Sequence, residues 1–142
     1  TTRHKVQSLL HAGIDTIIDL TMPGDAFFTY KKTLQSEASE FGIQVERLNF
    51  PILDYDTPTI GQMKKILDTI DQRLDQGKRV YVHCIGGIGR TGTTVACYLV
   101  RHGFNGNAAL VELEHLRKDA ASWWRPSPES DLQVKFVLEW EG

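Results

Sequence analysis

Residues 83 to 92 read His-Cys-Ile-Gly-Gly-Ile-Gly-Arg-Thr-Gly, between a β-branched and aromatic run, Arg79-Val80-Tyr81-Val82, and an apolar run from Thr93 to Arg101. A strand that passes through three glycines into a helix fixes a tight strand-to-helix turn, with Cys84 at the strand end and Arg90 six positions on. The first amides of that helix are unpaired, and the helix dipole adds positive potential, so an anion can settle there. Gly86, Gly87 and Gly89 lack Cβ atoms and let successive N–H groups turn inward around phosphate oxygens, with Ile85 and Ile88 completing the loop. Arg90 closes the ring as a planar fork that can hold two phosphate oxygens, which a lysine could not imitate. A Cys84 thiolate held in this field faces the trapped group as a nucleophile at phosphorus. Taken singly, a cysteine ending a strand is a small apolar residue and a glycine is an ordinary turn residue. Strand, Cys, three glycines, Arg, Thr and helix in that order make a site the better reading.

A second chemistry-bearing segment is Asn49-Phe-Pro-Ile-Leu-Asp-Tyr-Asp-Thr-Pro-Thr59, between a strand over 44–50 and a helix opening near Thr59. Expelling an alkoxide or phenoxide from phosphorus is slow unless the bridging oxygen is protonated, and a loop carboxylic acid can supply that proton and later serve as base. Asp54 and Asp56 are the two acids available. The alternative role for Asp56 is to accept backbone hydrogen bonds in the turn before Pro58.

Alternation of strand-like and amphipathic stretches predicts helices over 4–11, 30–40, 59–76, 91–102, 107–118 and 128–140, and strands over 16–20, 44–50 and 79–83. That pattern is an α/β fold with a central, mostly parallel twisted sheet flanked by helices, and with the Cys-x5-Arg loop between strand and helix. Sites in such sheets form beyond the strand C-terminal ends, where the loops after Leu20, Phe50 and His83 converge. Phe27, Phe28 and Tyr30 either wall that cleft or pack the next helix onto the sheet, and the second fits aromatic residues better. Trp123-Trp124-Arg125 reads similarly as a packed hinge. Pro128 and Glu129 suit the first turn of the last helix.

The segment His83-Cys84, five residues, Arg90-Thr91 resembles the signature loop of the cysteine-dependent protein tyrosine phosphatases. Pro51-x-x-Asp54 followed by Pro58 resembles the general-acid loop of dual-specificity phosphatases, which favours Asp54 over Asp56. Leu10 with Ala12-Gly13-Ile14, the stretch Thr21 to Asp25, Phe41-Gly42-Ile43 and Pro51-Ile52-Leu53-Asp54 look most like the cyclin-dependent-kinase-associated branch, whose kinase partner is not carried over. The resemblance implies a phosphocysteine on Cys84, transition-state stabilisation by Arg90, a Thr91 hydroxyl that helps the thiolate leave, and His83 orienting the loop. Gln133 matches the second of two water-placing glutamines of many relatives; the first position holds Glu129, a departure.

The loop residues Ile85 to Gly89 include no lysine or arginine of the kind that binds extra phosphates. The expectation is a phosphoprotein phosphatase acting on phosphotyrosine and on phosphoserine or phosphothreonine. A phosphatase for an inositol phosphate, phosphoinositide or RNA 5′ phosphate stays open, as does a phospho-binding module without turnover. With 142 residues, 41% of them hydrophobic, the chain can bury one sizeable core, so residues 1–142 read as one catalytic domain. A formal charge of −2 gives no field steering it to nucleic acid or membrane. The two cysteines are Cys84 and Cys97, the second on the apolar face of a helix; a disulfide would consume the nucleophile, so a reducing, cytoplasmic setting is expected. Neither metal ligand spacing nor the chemistry calls for a metal or cofactor, and a monomer acting on a phosphorylated protein or peptide is expected.

Overall fold

The protein is described from a computed structural model covering residues 2–23, 31–84, 88–119 and 124–142. Phe27, Phe28 and Tyr30, the three loop residues Ile85, Gly86 and Gly87, and Trp123 lie outside that description. In chain order the elements are α1 (Thr2–His11), β1 (Thr16–Asp19), α2 (Lys31–Phe41), β2 (Glu46–Asn49), α3 (Ile60–Asp75), β3 (Val80–His83), α4 (Arg90–Arg101), α5 (Gly106–Leu116) and α6 (Asp131–Glu139).

The strands form a three-stranded sheet in the order β2-β1-β3, and both pairings are parallel. Every strand is joined to the next through a helix, as parallel pairing demands. β1 is central and wholly buried. Successive side chains of a strand point to opposite faces, and β1 uses both. Ile17 packs with Val6, Leu10, Leu34 and Ala38 of α1 and α2 on one face. Ile18 packs on the other with Met63, Ile66 and Leu67 of α3, Ala96 and Cys97 of α4, Leu113 of α5 and Val137 of α6.

The in-register pairs Asp19↔Asn49 and Asp19↔His83 bring the three strands to one level at their C-terminal ends. The chain continues the ladder just past it: Leu20 N–H donates to His83 O at 3.0 Å and Ile52 N–H to Leu20 O at 3.1 Å. The loops after β1, β2 and β3 therefore leave the sheet side by side.

Helix ends follow local chemistry. α3 and α6 each open with a capping box, Thr59 with Gln62 and Ser130 with Gln133. α4 differs, since its N-cap is Gly89 and no side chain caps it. The widest departure from the expected boundaries is at the start of the last helix. Pro128 and Glu129 lie ahead of α6 rather than in its first turn, because the Ser130 hydroxyl supplies the cap and the helix starts at Asp131. Among the described residues no helix is long and apolar enough to cross a membrane.

Candidate active site

Cys84 directly follows β3 and is buried. Its sulfur faces the first turn of α4, accepting from the Thr91 hydroxyl at 3.0 Å and from the Thr91 N–H at 3.4 Å. The sulfur thus sits at the positive end of a helix dipole. Ile88 and Gly89 are buried beside it, and the Ser127 hydroxyl donates to Ile88 O, tying the loop to the segment before α6.

Arg90 is 1% exposed although it carries a guanidinium. Its Nη1 donates to Ile52 O at 2.8 Å and Leu20 O at 3.4 Å, the chain just beyond β2 and β1. These bonds fix the plane of the fork against the sheet end. Nη2 lies 3.7 Å from Asp54 Oδ1, and Asp54 keeps 43% of its side chain exposed. Asp56 is arranged differently: its Oδ1 accepts from Thr57 N–H at 2.8 Å, inside the turn before Pro58. Geometry therefore brings Asp54, and not the Asp56 carboxylate, to the arginine.

Between the two acids stands Tyr55, with φ of 64°. A non-glycine residue in the left-handed region is uncommon and costs energy that its surroundings must offset. Its N–H donates to Asp54 Oδ1 at 3.0 Å.

Gln133 is fully buried. Its Oε1 accepts from Glu129 N–H and Ser130 N–H, and its Nε2 donates to Asp56 O at 3.1 Å. The residue is a fastener between α6 and the acid-bearing loop. Glu129, with 14% of its side chain exposed, lies 3.7 Å from Arg125 Nη2 and against Gly89, where an added Cβ would fall 2.5 Å from Glu129 Oε1. Burial first, and then the negative charge of Asp54, hold the Glu129 carboxyl above its ordinary value, while Arg125 and Arg90 pull the other way. This carboxyl stands at the position that the sequence marks as a departure from glutamine.

Below the loop His83 joins a layer whose other members sequence reasoning did not single out. Asp19 is fully buried, paired with Arg47 through Nε at 2.9 Å and Nη2 at 2.7 Å, and it accepts from Thr21 N–H and hydroxyl. His83 Nε2 lies 3.5 Å from Asp19 Oδ1. Burial holds the His83 imidazole below its ordinary value; Asp19 and a hydrogen bond at the Cys84 backbone oppose that, and Arg47 and Arg90 add to it. Asn49 Nδ2 donates to Asp19 O and Thr21 O, sewing β2 to the chain leaving β1. The available signal was a charged residue in each of two neighbouring strands, Asp19 ending β1 and Arg47 within β2.

A thiol at a helix N-terminus, a buried arginine anchored beside it and a carboxyl facing that arginine stand together at one end of the sheet, an arrangement chemically able to receive a phosphoryl group. Residues 1–134 match the family described as Swiss Army Knife protein, DSP-PTPase phosphatase domain, and the chain belongs to that family of phosphatases. Among curated proteins it is 36% identical over 106 residues to MJECL20 of Methanocaldococcus jannaschii, covering 73% of this chain and 65% of that one. It is 32% identical over 116 residues to the phosphatidylglycerophosphate phosphatase PTPMT2 of Arabidopsis thaliana, covering 81% and 47%. The chain thus spans about two thirds or less of these relatives. The crystal structure of Tk-PTP in its active form superposes with a TM-score of 0.77 at 25% identity, over 96% of this chain and 85% of that one. Kinase associated phosphatase with its catalytic-site cysteine changed to serine gives 0.71 at 21% identity over 95% and 72%, a likeness of fold.

Proposed function

We propose that the chain hydrolyses phosphate monoesters of phosphoproteins through a phosphocysteine on Cys84. The observation that carries this reading is the convergence on one sheet end of the Cys84 sulfur, the Thr91 hydroxyl, the Arg90 guanidinium and the Asp54 carboxyl. In the first step the Cys84 thiolate attacks phosphorus, the S–P bond forms and the ester P–O bond breaks. Asp54 gives its proton to the departing oxygen. Arg90 and the unpaired first amides of α4 meet the charge on the equatorial oxygens. In the second step Asp54 takes a proton from water, the water oxygen bonds to phosphorus, and Cys84 departs as thiolate, accepting from Thr91. Inorganic phosphate is released and both groups return to their starting states. His83 orients the loop from beneath, and Gln133 supports the acid segment. Cys84 and Cys97 are free thiols, which suits a reducing compartment such as the cytoplasm.

The preferred substrates are phosphotyrosine and phosphoserine or phosphothreonine in proteins, because Ile85 to Gly89 offer no cation for a second phosphate. A second reading, a phospholipid monoester, draws on the similarity to PTPMT2. The test is turnover of phosphotyrosine and phosphothreonine peptides beside phosphatidylglycerophosphate, phosphoinositides and 5′-phosphorylated RNA, with Cys84→Ser as blank. Peptide turnover above the rest supports the first reading; lipid turnover alone replaces it with the second. Turnover by Cys84→Ser within tenfold of the parent would remove the thiolate mechanism.

A further inference from the structure

We propose that the capping box opening α6 is also the latch of the acid-bearing loop, and that Ser130 is a positioning residue for Asp54. The inference rests on the reading of Asp54 as general acid. The two carbonyls that follow Asp54 both accept from this box: Ser130 Oγ donates to Tyr55 O at 2.9 Å, and Gln133 Nε2 donates to Asp56 O at 3.1 Å. Neither donor is spare, because each residue also closes the helix end. Ser130 Oγ accepts from Gln133 N–H at 3.3 Å, and Gln133 Oε1 accepts from Ser130 N–H at 3.2 Å. One box therefore caps a helix with its acceptors and holds a loop with its donors.

The loop needs such a hold. Tyr55 sits in the left-handed region, and with 59% exposure its ring finds little packing to keep it there. The positive φ directs the chain after Asp54 to the α6 box, while the Tyr55 N–H donates to Asp54 Oδ1 and the carboxyl faces Arg90. If the turn relaxed into a commoner conformation, Asp54 would leave the arginine. On the other side of the loop, Gln62 of the α3 box donates Nε2 to Pro51 O at 3.1 Å, and Arg90 Nη1 holds Ile52 O. Upstream of Asp54 the loop is tied to α3 and to the arginine; downstream it is tied to α6. The acid is set in place before any substrate arrives, so no loop closure has to precede proton transfer.

The experiment compares Ser130→Gly, Ser130→Thr and Asp54→Asn on an activated aryl phosphate and on a phosphothreonine peptide, whose alkoxide needs a proton. Glycine removes the hydroxyl yet remains a tolerable N-cap, so α6 should stay formed; thermal unfolding checks that. Ser130→Gly should slow the phosphothreonine peptide about 5- to 10-fold in kcat with KM little changed, leave the aryl phosphate within twofold, and flatten the alkaline limb of the pH profile. Ser130→Thr, which keeps the hydroxyl, should restore both. Equal loss on the two substrates, or no loss on either, while Asp54→Asn keeps its leaving-group dependence, overturns the latch and leaves the acid assignment standing. Absence of that dependence in Asp54→Asn itself overturns the acid assignment and the latch with it.

Discussion

Gly89→Ala tests the packing of the loop against α6 with a single methyl group. The backbone at Gly89 (φ −86°, ψ −77°) is open to any residue, so strain does not decide the outcome. Space does. The new Cβ would fall 2.5 Å from Glu129 Oε1, 2.9 Å from Gln133 Nε2 and 3.1 Å from Gln133 Oε1, where ordinary contact begins near 3.4 Å. Glu129 is the end of a flexible, partly exposed side chain and can swing away. Gln133 cannot, because its amide is bonded at both ends, to Glu129 and Ser130 N–H and to Asp56 O. The methyl must displace that amide by about 0.5 Å, the overpacking class of perturbation, at a cost of about 1–3 kcal/mol. Reduced freedom of the unfolded chain returns about 0.4–1 kcal/mol. The net expectation is about 1–2 kcal/mol of destabilisation, or a fall in Tm of about 3–8 °C for a chain of this size. Because the displaced amide holds Asp56 O, phosphothreonine turnover should fall more than aryl phosphate turnover. Circular dichroism melts and steady-state rates on the two substrates measure both. Adding Glu129→Ala to Gly89→Ala should recover only part of the loss, since the Gln133 contact remains. A Gly89→Ala protein as stable and active as the parent would refute this packing.

Arg90→Lys keeps the charge but loses the fork and the bonded Nη1, so kcat should drop by about 100-fold to 1,000-fold, the range for removal of one transition-state donor; a loss below tenfold would contradict the socket. Glu129→Gln should raise Tm at neutral pH and leave it unchanged in strong acid. A carboxyl held above its ordinary value of 4.5 in the folded state has its stability fully present below that value and loses it as pH rises through the folded value, so removing the ionisable group helps only on the alkaline side. A Tm gain confined to acid would reverse the sign. Burial pushes the Cys97 thiol up to about 12, so an alkylating reagent at neutral pH should label Cys84 and spare Cys97 until denaturant is added, as mass spectrometry of the two peptides can show.

The parts of the site that were legible in the sequence are those the chain places close together. Strand, glycine loop and helix follow one another within residues 79 to 101, so local chemistry alone aligns Cys84 with Thr91. The start of α3 was legible for the same reason, since Thr59 and Gln62 form their box within one turn. An equally plain box, Ser130-x-x-Gln133, was available for α6. Pro128 and Glu129 suit a first turn equally well on propensity, and only the position of the Ser130 hydroxyl separates the two starts. What the sequence could not disclose is long-range: Ser130 meets Tyr55 across 75 residues and Gln133 meets Asp56 across 77. No periodicity encodes such a contact. Tyr55 gave no warning of a positive φ either, because the cause lies in what grips its neighbours and not in the tyrosine.

The buried ionic layer under the loop follows from the same geometry and bears on the chemistry above it. An isolated carboxylate at Asp19 would be costly in this interior and would oppose the positive potential that a phosphate needs. Arg47 cancels it at contact distance, Thr21 adds two donors, and His83 beside them is held toward its neutral form by burial. The layer therefore contributes little net charge. The potential at Cys84 is left to the α4 terminus and Arg90, the groups able to follow charge onto the phosphoryl oxygens. Proton uptake at His83 would disturb that balance. With its folded value below the ordinary 6.5, the unfolded chain binds this proton first, so stability falls as pH drops below that value. The strand ends thus do two things at once: they set the height of the three loops, and they keep the charge beneath the thiolate close to zero.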